Sequence, residues 1–173
     1  MGVDIELDHG YVIAKAPRLR GAVISFEQVT VTGTENLMMA ATLADGETIL
    51  QNAAQEPEVV ALAQYLISMG AHIEGAGTSE VKIEGTKELT PGTFTVIPDR
   101  IETGTYLVAA GITNGCLELK NCRPDHVDAV IENLALTGLA IKGGEDSLEV
   151  NDAFSVNDVG FGECRSVVCP VGS

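Results

Sequence analysis

The 173-residue chain has no tryptophan, and aromatic residues make up only 4% of it. Its apolar content is built instead on Ala, Val, Ile and Leu, a globular composition with enough length for one domain or two small units with a real core. Cations are scarce. Ten Lys and Arg face 25 Asp and Glu, for a formal charge of −15 and a pI near 4.3. Such a surface repels nucleic acid and anionic membrane, which excludes both as default partners. It also opposes anionic substrates at long range, so any phosphate site must work through local donors. No apolar run approaches the length of a membrane span. The N-terminus lacks the basic segment and hydrophobic core of a signal peptide, so a cytoplasmic location is expected. The four cysteines (Cys116, Cys122, Cys164, Cys169) form no CxxC pair, and His9, His72 and His126 are scattered. That spacing argues against a zinc site and predicts thiols, free or buried.

What is present begins with residues 29–41. Val29, Thr30, Val31 and Thr32 are all β-branched and predict a strand. Gly33 follows as a turn, Thr34 as a helix cap, and Leu37, Met38, Ala40 and Ala41 as an apolar helical stripe. A strand that turns on glycine into a helix N-terminus leaves N–H donors that suit an anion such as phosphate. Strand–Gly–helix turns are common, and the residues alone favour a plain connection over an anion site.

The chain repeats. Met1-Gly2-Val3-Asp4-Ile5-Glu6 matches Met69-Gly70-Ala71-His72-Ile73-Glu74, with a third copy near Thr137-Gly138-Leu139-Ala140-Ile141-Lys142. Residues 43–52 line up with 112–121, and 37–41 with 106–110. The offset is 69, settling to 68 after Pro57 and Pro124. A fixed spacing means a repeated supersecondary unit. Each copy predicts a helix (34–44, 103–113) and a strand (47–50, 116–119). A second helix follows, opening near Pro57 or Pro124. Its apolar residues, such as Val59, Val60, Ala63, Leu66 and Ile67, recur at i, i+3, i+4, i+7. Two hairpin strands close the unit, at 72–75 with 80–84 and at 139–142 with 147–150. The unit is βαβαββ, two helices beneath a mixed sheet.

Four segments result. Residues 1–16 are the terminal hairpin of a truncated repeat, so the chain is expected to be an internal piece of a longer protein. Residues 17–97 hold a complete unit, ending in a strand at 93–97. Residues 98–150 open a second one after Pro98. Residues 151–173 have no counterpart and are expected to be poorly ordered.

Four stretches carry a family resemblance: 18–22, 29–42, Asn52-Ala53-Ala54-Gln55-Glu56-Pro57-Glu58, and Pro98-Asp99-Arg100-Ile101-Glu102-Thr103-Gly104-Thr105. With these, residues 1–150 resemble the UDP-N-acetylglucosamine 1-carboxyvinyltransferase (enolpyruvyl transferase) family. The resemblance implies an inside-out α/β barrel of βαβαββ units in two domains, with about two repeats present here and Pro98 at the crossing. It implies transfer of enolpyruvyl from phosphoenolpyruvate to the 3-hydroxyl of UDP-N-acetylglucosamine, the first committed step of peptidoglycan synthesis. No metal or organic cofactor is implied.

The resemblance also implies site residues. Gln28, Val29, Thr30 and Val31 contact the nucleotide-sugar diphosphate, with Thr32 and Gly33 as additional candidates. Thr32 stands where many members have Gly, and Gln28 replaces a frequent basic residue. The family's catalytic Cys loop lies upstream of these stretches, and its base and phosphate-binding arginines downstream. No catalytic residue is therefore assigned here, and this chain alone is expected to be inactive. Asp99, Arg100 and Glu102 read either as sensors at an interdomain cleft or, more plainly, as an interdomain ion-pair network or a helix-cap cluster. Glu56 and Glu58, flanking Pro57, read as acid–base groups or, preferably, as carboxylates favouring a helix dipole. Two alternatives stand beside the main reading: a 3-phosphoshikimate enolpyruvyl transferase relative, and a non-catalytic βαβαββ binding or assembly module. Cutting a unit from a barrel exposes an apolar flank, so self-association or marginal stability is expected.

Overall fold

The computed structural model describes residues 1–152 and 165–168. The chain divides into two compact units, Met1–Thr95 and Val96–Ser173.

The first unit opens with a hairpin, β1 (Asp4–Asp8) and β2 (Tyr11–Lys15), paired antiparallel. His9 and Gly10 both take positive φ, 47° and 87°. That is what a two-residue turn matched to the strand twist requires. The register sets Ile5 opposite Ala14 and Leu7 opposite Val12, so one face of the ribbon is apolar. Both strands are almost wholly exposed.

Four strands follow in the order β3-β4-β6-β5. β3 (Val23–Ser25) runs parallel to β4 (Glu47–Gln51). β6 (Glu80–Glu84) lies antiparallel to β4, and β5 (His72–Glu74) antiparallel to β6. Alternation points Thr48 and Leu50 of β4, and Val81 and Ile83 of β6, to one face. There they meet Met38 of α1 (Val31–Ala41) and Val59 of α2 (Pro57–Ser68) in a fully buried core. Full burial of an apolar side chain this size contributes roughly 1.5–3 kcal/mol.

The second unit repeats the plan with α3 (Arg100–Ile112), β7 (Leu117–Lys120), a 3-10 turn at Pro124–His126, α4 (Asp128–Leu136), β8 (Leu139–Gly143) and β9 (Ser147–Asp152). Its sheet order is β10-β7-β9-β8, with β10 at Arg165–Val168 parallel to β7. Leu107, Leu119, Leu148 and Val150 fill its core.

Several expectations need correction. Residues 29–32 are not a strand: Thr30 caps α1, and Val31 and Thr32 are already helical. β-Branched residues cost little in a first helical turn when the preceding side chain caps it. Residues 93–97 form no strand either. Pro91 and Pro98 bracket them without N–H donors, and Phe94 packs on Tyr65 with ring centroids 5.6 Å apart. In the second copy the helix does not open at Pro124, because a 3-10 turn comes first and Val127 breaks from it at φ −128°. Residues 165–168, placed in an unmatched tail, form β10. Residues 153–164 and 169–173 lie outside the described residues. Cys122 is a buried thiol outside any disulfide, as expected, but Cys116 is disulfide-bonded.

Candidate functional site

The segment singled out in the sequence sits at the start of α1. Thr30 is extended, at φ −141° and ψ 121°. Its Oγ1 accepts from the Gly33 N–H at 3.2 Å, and its carbonyl accepts from the Thr34 N–H at 3.0 Å. Gln28, Val29 and Thr32 are exposed, while Thr30, Val31 and Gly33 are half-buried. The first-turn N–H groups of a helix, here those of Val31 and Thr32, have no intrahelical acceptor. With the Thr30 O–H they form a compact set of donors at the positive end of the helix dipole.

Gly33 serves this turn through size. A Cβ there would lie 2.5 Å from Thr30 Cγ2 and 3.3 Å from Phe26 Cε1. The capping threonine and the Phe26 ring therefore occupy the space a side chain would need. The cap expected at Thr34 falls on Thr30, and Gly33 lies inside the helix instead of at a turn before it.

Thr34 is fully buried and works as a clasp. Its hydroxyl donates to the Thr30 carbonyl at 2.8 Å and accepts from the Ala54 N–H at 3.0 Å. That second bond ties the loop after β4 to the start of α1. Asn52, at φ 55°, adds another tie through Nδ2 to the Phe26 carbonyl at 2.9 Å. Two helix starts and one loop are thereby fixed together.

This arrangement gathers three carboxylates. The Glu35 carboxyl is held above the ordinary carboxylate range, first by its desolvation, then by repulsion from Glu58 and Glu56. Glu56 is the N-cap of α2 but makes no side-chain cap bond. Its Oε2 is buried with no hydrogen-bond partner among the described residues. Glu58, in the first turn of α2, keeps the dipole-favouring place read from the sequence. Sequence reasoning missed Glu35 as part of this group. Its only signal was that Glu35 and Glu56 both stand at helix starts of one βαβ unit. The set comprises hydroxyl, amide and carboxylate groups, which offer local hydrogen bonds, with carboxylates nearby that oppose negative charge.

In the second unit Asp99 occupies the place of Thr30, 69 positions later. Its Oδ1 accepts from the Ile101 N–H at 2.7 Å and the Glu102 N–H at 3.1 Å. Glu102 is in the first turn. The helix-cap reading of Asp99 and Glu102 accounts for this geometry. Arg100 lies apart from the cap, lining a 370 Å³ apolar recess with Ile101, Val108, His126 and Val130. Thr103 repeats Thr34, its hydroxyl donating to the Asp99 carbonyl at 2.9 Å. Among the described residues no group of three His, Cys, Asp or Glu could hold a metal, and no helix is long and apolar enough to cross a membrane.

Two repeats of one βαβαββ unit, each with a capped helix start clasped by a buried threonine, define an enolpyruvyl transferase type of fold. Solved structures agree with that architecture. The enolpyruvyl transferase NikO from Streptomyces tendae aligns at TM-score 0.73 and 22% identity, over 87% of this chain and 39% of that one. EPSP synthase from Acinetobacter baumannii aligns at TM-score 0.61 and 21% identity, over 88% and 37%.

The chain belongs to the EPSP synthase (3-phosphoshikimate 1-carboxyvinyltransferase) family, whose model matches residues 1–163. That match extends past residue 150, the end of the resemblance described above. Curated relatives at higher identity carry one name, UDP-N-acetylglucosamine 1-carboxyvinyltransferase. The protein from Thermodesulfovibrio yellowstonii is 57% identical over 87% of this chain and 36% of its own length. That from Geotalea daltonii is 51% identical over 92% and 38%. The chain thus spans about a third of the curated relatives it matches.

Proposed function

We propose that this chain is part of an enzyme that transfers enolpyruvyl from phosphoenolpyruvate to the 3-hydroxyl of UDP-N-acetylglucosamine, releasing phosphate. The reaction serves peptidoglycan synthesis in the cytoplasm. One observation carries the reading: the relatives bearing that name match at 51–57% identity across 87–92% of the chain. The likeness to solved EPSP synthase stands at 20–21% and speaks for fold alone, so the shikimate substrate is the weaker reading.

Within that reading, residues 28–31 hold the diphosphate of the nucleotide sugar. The N–H groups of the first α1 turn and the Thr30 hydroxyl are the donors, with Thr32 and Gly33 at the margin. Local donors suit a protein of charge −15, which offers no long-range attraction for an anion. Asp99, Arg100 and Glu102 mark the interdomain segment. Residues 1–16 are the closing hairpin of a repeat. The chain alone supplies the nucleotide-sugar contacts without turnover, since catalysis needs groups brought together from the whole enzyme.

A ¹H–¹⁵N correlation spectrum with and without UDP-N-acetylglucosamine tests this. Shifts confined to residues 28–33 and 52–54 are the expected result. A dispersed spectrum that the ligand leaves unmoved, while UDP-N-acetylglucosamine binds the full-length relative, would remove residues 28–31 from the site.

A further inference from the structure

All four cysteines belong to the second unit, since none precedes Val96. Cys116, just ahead of β7, is disulfide-bonded, and Cys122, just past it, lies outside any disulfide. The partner of Cys116 is therefore Cys164 or Cys169, which flank β10 at its two ends.

The register of β10 on β7 separates the two. Arg165 pairs with Leu117 and Val168 with Lys120, in parallel. Continued one position back, that register brings 164 beside 116. Continued one position forward, it brings 169 beside Asn121. Neighbouring strands lie about 4.8 Å apart, inside the roughly 4.4–6.8 Å between Cα atoms that a disulfide spans. A bond from Cys116 to Cys169 would have to cross five residues of strand, about 16 Å. Side-chain direction agrees. The Ser166 hydroxyl donates to Glu118 Oε2 at 2.7 Å, so these two positions share a face of the sheet. Alternation puts 164 and 116, each two residues earlier, on that same face.

The place of the bond gives it leverage. Joining 116 to 164 encloses β7, α4, β8 and β9 in one covalent loop and delivers β10 to the β7 edge. Such a cross-link stabilises chiefly by restricting the unfolded chain. β10 is the outermost strand and pairs only with β7. Cys116 is half-buried, so a reductant can reach its sulfur, as thiol–disulfide exchange requires. Cys122 is buried, its Sγ 3.8 Å from the carbonyls of Leu119 and Asp146, which keeps it out of that exchange.

We propose that Cys116 pairs with Cys164 and that this disulfide is a redox staple, fastening β10 to β7 when oxidised and loosening that edge when reduced. In the reductive step one thiolate of a dithiol attacks a sulfur and the S–S bond breaks. The second thiolate then resolves the mixed disulfide. Two electrons and two protons pass to Cys116 and Cys164, leaving two thiols and the dithiol oxidised to its own disulfide. The first unit, without cysteine, does not respond.

The test compares the whole chain with and without dithiothreitol. Trypsin cuts after Lys120 and Arg165, which parts Cys116 from Cys122 and Cys164 from Cys169. Mass spectrometry of the unreduced digest should find residues 101–120 joined to 143–165. Joining to 166–173 overturns the pairing. Hydrogen exchange at the Leu117–Lys120 and Arg165–Val168 amides should quicken at least about tenfold on reduction, while the Glu47–Gln51 amides keep their rate. Cys164→Ser should exchange at the reduced rate under both conditions, and Cys169→Ser should respond to dithiothreitol as the unsubstituted chain does. A Leu117–Lys120 rate indifferent to reductant, or a Cys164→Ser chain that still responds, overturns the proposal.

Discussion

The Ala54 N–H donates to the Thr34 hydroxyl at 3.0 Å, joining a loop to a helix start 20 residues away in sequence. Because Thr34 is fully buried, no water can replace it. Thr34→Val keeps the shape but strands a buried N–H, which costs about 1–3 kcal/mol. Thr34→Ser keeps the hydroxyl and should cost under about 1 kcal/mol. Urea unfolding followed through Tyr65, which lies in the same unit, measures the difference. Equal losses for the two variants would show that the methyl matters and the bond does not.

Gly33→Ala sets two effects against each other. In a helix Ala is favoured over Gly by about 1 kcal/mol. The new Cβ, however, falls 2.5 Å from Thr30 Cγ2, and rotating Thr30 away removes the cap it gives the Gly33 N–H. Losing a threonine cap costs about 0.5–2 kcal/mol, and residual crowding against Phe26 adds to it. The net expectation is a loss of about 1 kcal/mol, with weaker UDP-N-acetylglucosamine shifts at residues 30–34. A more stable Gly33→Ala protein would mean that Thr30 rotates freely and the cap contributes little.

Glu35 gives the first unit a pH dependence of stability. Its pKa is raised on folding, so the folded state binds its proton more tightly than the unfolded state does. The folded state is therefore favoured at low pH, and that preference is lost as pH rises through the folded pKa. Glu35→Gln should accordingly stabilise the unit at pH 7, by under about 1 kcal/mol given solvent screening. The gain should vanish once pH falls below the ordinary carboxylate range. Thermal melts across that range check it, and a gain constant with pH would assign the effect to something other than charge.

The β1–β2 hairpin predicts association. Ile5, Leu7 and Val12 are 67%, 77% and 67% exposed, on one face of a ribbon that makes no strand pairing beyond itself among the described residues. Isolated two-stranded hairpins are marginal in water, and open apolar edges template pairing. Sedimentation should show concentration-dependent oligomers for the unsubstituted chain. Leu7→Lys with Val12→Lys should shift them toward monomer. Unchanged oligomers in the double variant would move the interface elsewhere.

Much of the fold was legible in the sequence because the repeat supplies its own alignment. The hairpins closing each unit, the strands β4 and β7, and the start of α2 at Pro57 all fall where periodicity and turn residues put them. The misplaced elements share a cause. Residues 29–32 and 93–97 have strand propensity, yet a side-chain cap decides the first and two prolines the second. Propensity is a local quantity, whereas both outcomes depend on what the neighbouring backbone can bond. The clasp at Thr34 was invisible for the same reason, since its partner Ala54 contributes only a main-chain N–H. Glu35, Glu56 and Glu58 could be named singly but not grouped until two helix starts were set side by side. β10 had no signal at all, because nothing in residues 151–173 repeats what comes before.

The second unit is, in effect, a circular permutation of the first, with the edge strand moved from front to back. That changes the chain path each sheet must close. Val23 meets Ile49 across 26 positions, whereas Ser166 meets Glu118 across 48. The longer loop costs roughly 0.5 kcal/mol more to close. β10 should therefore be the last strand to join the sheet on folding. The unit that remains, α3 through β9, already holds every buried core residue among the described residues.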